Sequence, residues 1–161
     1  MTDIKKAYGN STAITITLAS LLHSDNAGRE STAVDNGTDK FLDALVQVKV
    51  KLQTGTPSAD RTVYVYAYGS EDGTTYTDNA TGSDADITLT DPPNVKLIGT
   101  IRCPAAGGLT YESQPMSVAK AFDWVMPRKW GIIVRNNTNV ALSATGGDHA
   151  AKYSGSYYTN A

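Results

Sequence analysis

An all-β chain, folded as an antiparallel β-sandwich, is what these 161 residues predict. Three observations carry that reading. Apolar residues recur with a period of two along most of the chain, which places alternate side chains on one face of a strand. Pairs of Gly, Pro, Asn and Asp punctuate those runs with turns. No window of ten or more residues shows a 3.6-residue period bounded by helix caps.

The elements follow in chain order. Residues 1–12 are polar and read as a flexible N-terminal arm, with Ile4 and Tyr8 as its anchors and too little apolar content to fold alone. A single sandwich domain is expected over residues 13–161. In it, Ile14, Ile16 and Leu18 alternate with Thr15 and Thr17. Leu42, Ala44, Val46, Val48, Val50 and Leu52 share one face of the clearest strand, with Asp43, Gln47, Lys49 and Lys51 on the other. Val63, Val65 and Ala67 alternate with Tyr64, Tyr66 and Tyr68. Val95, Leu97 and Ile101 form another strand, and Val118, Phe122 and Trp124, then Trp130, Ile132 and Val134, give two more around Pro127. A last strand is expected over 150–158. Turns are expected at Asn36-Gly37, Thr54-Gly55-Thr56-Pro57, Glu71-Asp72-Gly73, Asp91-Pro92-Pro93, Ala106-Gly107-Gly108, Asn136-Asn137 and Gly146-Gly147. The pattern leaves the strand order open. Two long connections, 19–40 and 70–94, favour a jelly roll, whose crossovers between sheets need length.

Composition narrows the function classes. Charged residues are 19% of the chain, below the roughly 25% of an ordinary domain, and Ser, Thr, Asn and Gly take up the difference. The formal net charge of −2 argues against a sequence-tolerant nucleic-acid binder, which needs a Lys/Arg surplus. No apolar run reaches the ~18 residues of a membrane span. The first residues carry no apolar segment of the secretory kind, and the one cysteine, Cys103, reads as a small buried hydrophobe in a protein assembled in a reducing cytoplasm.

Motifs for chemistry are sparse. His23 and His149 lie outside any nucleophile or metalloprotease motif, so no catalytic residue, cofactor or metal ligand is assigned. Glu71, Asp72, Asp78, Asp84 and Asp86 make an acidic loop. Their spacing departs from the helix-loop-helix calcium pattern, which leaves open whether they bind calcium. The tyrosines are more informative, at nine against two Trp and two Phe. If Val63, Val65 and Ala67 face the core, Tyr64, Tyr66 and Tyr68 form an outer stripe suited to a protein interface or a sugar platform. The alternative is that loops of the same chain cover it. On the interface reading, Tyr66→Ser weakens assembly and leaves the monomer folded.

Two segments carry a family resemblance. Arg29-Glu30-Ser31-Thr32-Ala33-Val34-Asp35-Asn36, running into Phe41-Leu42-Asp43-Ala44-Leu45-Val46-Gln47-Val48, resembles a segment of small tailed-phage virion proteins. Gly131-Ile132-Ile133-Val134-Arg135-Asn136-Asn137-Thr138, with Ala141-Leu142 and the Gly/Tyr-rich end, is similar to the tails of the same proteins. Together they span about a third of the chain. The resemblance implies a β-sandwich subunit on the capsid exterior, a decoration or cement protein that bridges shell subunits, and it brings no catalytic motif. Its partners would be the major capsid protein and neighbouring copies of itself, as a dimer or trimer, with no nucleic acid and no membrane. The N-terminal arm and the 19–40 loop, where Arg29 and Glu30 would pair with a partner, are the expected contacts. The alternative function is a tail or fibre adhesin that binds host glycans through the Tyr-rich face.

Overall fold

Val46, Val48 and Val50 are wholly buried while Gln47 between them is exposed, so the alternation read along this run is a strand with one face in the core. The same pattern builds the rest of the molecule. The computed structural model describes residues 3–105 and 108–160; Met1 and Thr2 of the expected arm, Ala106 and Gly107 of an expected turn, and Ala161 lie outside the described residues.

In chain order the elements are β1 (Ile4–Tyr8), β2 (Thr12–Ala13), β3 (Ala27–Glu30), β4 (Val34–Asp35), α1 (Asn36–Asp39), β5 (Asp43–Lys51), β6 (Thr62–Ser70), β7 (Ala85–Thr88), β8 (Lys96–Arg102), β9 (Thr110–Glu112), β10 (Met116–Ser117), β11 (Lys129–Asn137) and β12 (Ala150–Asn160). Single 3₁₀ turns occupy Ala119–Phe122 and Gly146–Asp148. One sheet runs β1-β12-β5-β10, with β2 on β12 and β9 on β5. The other runs β7-β3-β11-β6-β8, with β4 on β11. Every pairing between these strands is antiparallel; one isolated bridge, His23 to Asn136, is parallel. From β2 onward the chain changes sheet at each major connection except that from β6 through β7 to β8. This is the strand order of a jelly roll, with β7 added beyond β3.

The core lies between the sheets. Ala44, Val46, Val48, Val50, Ala151 and Tyr153 face Val63, Val65, Ala67, Trp130, Ile132 and Val134 across it. Each large aliphatic buried here contributes roughly 1.5–3 kcal/mol. Trp130 and Tyr153 meet edge to face at 5.3 Å, and Phe41 packs beside Tyr153 and Tyr157 where the sheets open.

Several segments depart from the pattern for identifiable reasons. No residue of the first predicted run, Ile14 to Leu18, is strand; the strand there, β2, lies just before it and takes Thr12 from the expected arm. Ile14 and Leu18 are buried, but the chain is crossing between sheets: Ile14 N donates to Ala151 O, and Thr15 O accepts from Thr32 N. The run through Phe122 and Trp124 is no strand beyond Ser117. The Asp43 carboxylate accepts from Ala119 N and starts a 3₁₀ turn there. In β8 the register slips between Val65 and Tyr66 of its partner, so Ile98 is an extra residue. The bulge reverses the parity, and Leu97 points outward while Ile101 points into the core. The two long connections hold structure: 19–40 contains β3, β4 and α1, and 70–94 contains β7. Residues 4–8 of the expected arm are likewise a strand of the sheet. β12 outruns β5, whose pairing ends at Asp43↔Ser156, and β1 pairs with the projecting end along the edge of β12 away from β5.

Candidate interaction surfaces

The outer face of the second sheet is the place where the sequence puts a tyrosine stripe. Val63, Val65 and Ala67 do face the core, so the three rings do point outward. They are not open to a partner as a stripe, however. The 71–95 excursion folds back over the sheet, and Tyr66, Tyr68 and Ile133 form a second apolar layer with its Ile87, Leu89 and Val95. Tyr68 is wholly buried: its hydroxyl donates to Ser31 O at 2.5 Å, its ring lies edge-on to Tyr76, and burial pushes its phenol pKa well above the usual range. The ring also covers Gly131 on the neighbouring strand, where a Cβ would collide with it. Tyr64 alone stays half-exposed. The Arg135 guanidinium stacks on its ring at 4.6 Å, and its hydroxyl donates to Asp60. A stacking platform for a sugar along this face is therefore absent among the described residues.

The acidic residues of the excursion explain how it is held. Asp72 accepts from the backbone N–H of Thr75 and Thr74 and from the hydroxyls of Thr75 and Ser70, which hold its carboxyl well below the usual range. Burial works against ionisation of Asp78, but donors from Asn94, Thr90 and Val95 outweigh it and lower the pKa. Asp84 behaves alike: burial opposes its charge, and Arg29 and Thr17 prevail. Each carboxylate thus organises a stretch of loop backbone as an Asx turn does. No group of three metal-ligating side chains gathers among the described residues.

Arg29 and Glu30 belong to this arrangement rather than to a partner contact. Arg29 Nε donates to Asp84 at 2.6 Å and Nη1 to Asp86 at 3.0 Å, both on the excursion. Glu30 points the other way from β3 and is 1% exposed. It accepts from Thr81 N at 2.8 Å, from the Thr81 hydroxyl at 2.7 Å and from Gly82 N. Adjacent residues on a strand face opposite sides, so one pair of charges grips two points of the excursion. No turn or period in the sequence marks this role. The alternation of Arg and Glu on a short strand opposite a loop rich in Asp and Thr was its only trace.

His149 is equally local. Its Nε2 lies 2.9 Å from Ser143 O and its Nδ1 accepts from Lys51 N, so both ring nitrogens are engaged by backbone. Cys103 is fully buried, and burial pushes its thiol up to about 11.

Ile4 and Tyr8 remain exposed, and they share an end of the sandwich with other apolar side chains. β5 starts at that end, β6 finishes there, and β12 runs out of it. Nine large apolar side chains are exposed among the described residues, and six stand there. Ile4, Tyr8 and Tyr158 lie on the projecting β1–β12 ribbon. Leu42 sits one residue before β5 and misses the core it was expected to join. Trp124 and Val125, at 69% and 74% exposure, cap the loop between β10 and β11. That loop is firmly seated. Phe122 packs against Gly69, Trp124 N donates to Ala119 O, and Val125 N donates to Phe122 O. Asp123 and Trp124 both adopt left-handed backbone, at φ of 51° and 69°, which costs non-glycine residues energy. The result is an indole held out in solvent by a hydrogen-bonded turn with two left-handed residues.

Against known proteins, the chain matches no family model and no curated protein.

Proposed function

We propose that this protein is a structural component of a tailed-phage virion, a decoration protein that binds the outside of the capsid and strengthens it by bridging major capsid subunits. The observation that carries the reading is the apolar end. Solitary apolar side chains are ordinary on a surface; six gathered at one end, two of them on a strained turn, fit a protein-binding face. An interface core favours Trp and Tyr, and both types stand here. A protein that binds only the assembled shell stabilises it by linkage, so many modest contacts suffice. The jelly roll suits this task because its sheets hold the end loops rigid. The resemblance of the 29–48 and 131–142 segments to small virion proteins points the same way.

The test is quantitative binding to particles. Purified protein is added to shells that lack it, and bound copies are counted by mass spectrometry and located by cryo-electron microscopy. Hundreds of copies seated by the Trp124 end, with a raised disruption temperature, are expected. A handful of copies confined to the tail, or none, would overturn the proposal.

A further inference from the structure

We propose that two copies of this chain pair through β1, antiparallel about a two-fold axis at Ala7, so that the two ribbons fuse into one four-stranded sheet. The inference begins with backbone polarity. Gly9 N donates to Gly155 O at 2.8 Å, and successive residues of a strand turn their backbone groups to opposite sides. With the register Tyr8↔Ser156 through Ile4↔Asn160, Lys5 and Ala7 bond to β12. The N–H and C=O of Ile4, Lys6 and Tyr8 therefore face outward. No strand of the described residues pairs with that edge.

The ribbon itself asks for a neighbour. Beyond Ser156, β12 has only β1 beside it, and the ribbon is exposed on both faces except at Ala7 and Tyr157. Two strands alone are marginal in water, whereas three or more with an apolar face hold together. Among the described residues this edge carries no bulge, proline or cover, and Lys5 and Lys6 are the charges a partner strand must accommodate.

A second copy fits because β1 is self-complementary. Pairing centred on Ala7 sets Lys6 opposite Tyr8 of the partner subunit. Lys6 Nζ already lies 5.4 Å from the centre of its own Tyr8 ring, so the same cation–π attraction operates across the seam. Tyr158, opposite Lys6 on β12, continues that face. The neighbouring register, centred on Lys6, would set two ammonium groups against each other and is disfavoured. The result is an isologous contact that closes on itself.

Sedimentation of the full chain is expected to show a species of twice 17.1 kDa that dissociates on dilution. Lys6→Pro removes an outward N–H and no bond to β12, so it is expected to give a monomer with unchanged circular dichroism. Ala7→Cys places two thiols across the axis at a non-hydrogen-bonded position, about 4.5 Å between Cα atoms, within disulfide reach. Mild oxidation is expected to link it into dimers, while Thr159→Cys, one strand further out, stays unlinked. A wild type that sediments as a monomer at every concentration, a Lys6→Pro dimer, or Ala7→Cys linking no faster than Thr159→Cys would each overturn the proposal. All three readouts use purified protein, so they fail or succeed apart from binding to particles.

Discussion

Tyr66 and Trp124 both stand on the outside of the two-sheet core, yet one is buried and the other is in water. Tyr66 lies on the face roofed by the 71–95 excursion, which brings its own Ile87, Leu89 and Val95 to meet it. Trp124 lies at an end where the chain supplies anchors beneath the loop, through Phe122 and Asp43, and nothing above it among the described residues. The difference teaches that an apolar residue off the core is informative only once the reach of the chain's own loops is known. Where a loop arrives, the residue is core; where none does, it is available to another molecule.

Perturbing the roofed face is expected to have the largest effect. Tyr66→Ser removes most of a buried aromatic ring and is expected to lower stability by about 3–4 kcal/mol in chemical denaturation. A loss below ~1 kcal/mol would show that the excursion does not cover it as described. This reverses the expectation drawn from the sequence, in which the same change spared the monomer.

Next comes the grip on the excursion. Glu30→Ala orphans Thr81 N and Gly82 N, and a cost of about 3 kcal/mol is expected. Hydrogen exchange should place the newly exposed amides in 71–95 and leave β5 and β12 protected. Uniform loss of protection would show that the excursion and the sandwich are one cooperative unit.

Acid should act on the same region more mildly. The carboxyls of Asp72, Asp78 and Asp84 titrate below their ordinary value in the folded protein. Their stabilisation is complete above the unfolded pKa of about 3.9 and is lost as pH falls through the lower folded values. Melting temperature is thus expected to hold steady down to about pH 4 and to fall below it. Asp78→Asn should flatten part of that fall; an unchanged profile would remove Asp78 from the account.

The smallest effect on stability is expected at the open end. Trp124→Ser should change unfolding by less than ~0.5 kcal/mol, since the side chain is in water. Its effect should appear instead as weaker retention on particles. A large loss of stability would mean that the indole is packed within the monomer.

Much of the fold was legible because period-two alternation is a local signal. β5, β6, β11 and β12 are all long; the first three keep one face in the core from end to end, and β12 does so as far as Gly155. The strand order stayed open in the sequence; the length of two connections only favoured a jelly roll, and those connections turned out to carry β3, β4 and β7. What stayed hidden were two-residue strands such as β10, which show no period, and the bulge at Ile98, which moves Leu97 to the surface through a single extra residue. The candidate site was legible only in part. Ile4 and Tyr8 lie at the exposed end as surface residues, but Arg29, Glu30, Tyr66 and Tyr68 were assigned outward and face the protein's own excursion.

Alternation, turn residues and charge, which depend on neighbours a few positions apart, sufficed to specify strands, their inner faces and an all-β architecture. Which outward-facing aromatic became core and which stayed in solvent was decided by contacts between residues more than fifty positions apart, such as Glu30 with Thr81 and Arg29 with Asp84. Local pattern carries no record of where a loop returns, because closing a long loop costs entropy that only the assembled surface beneath it can offset.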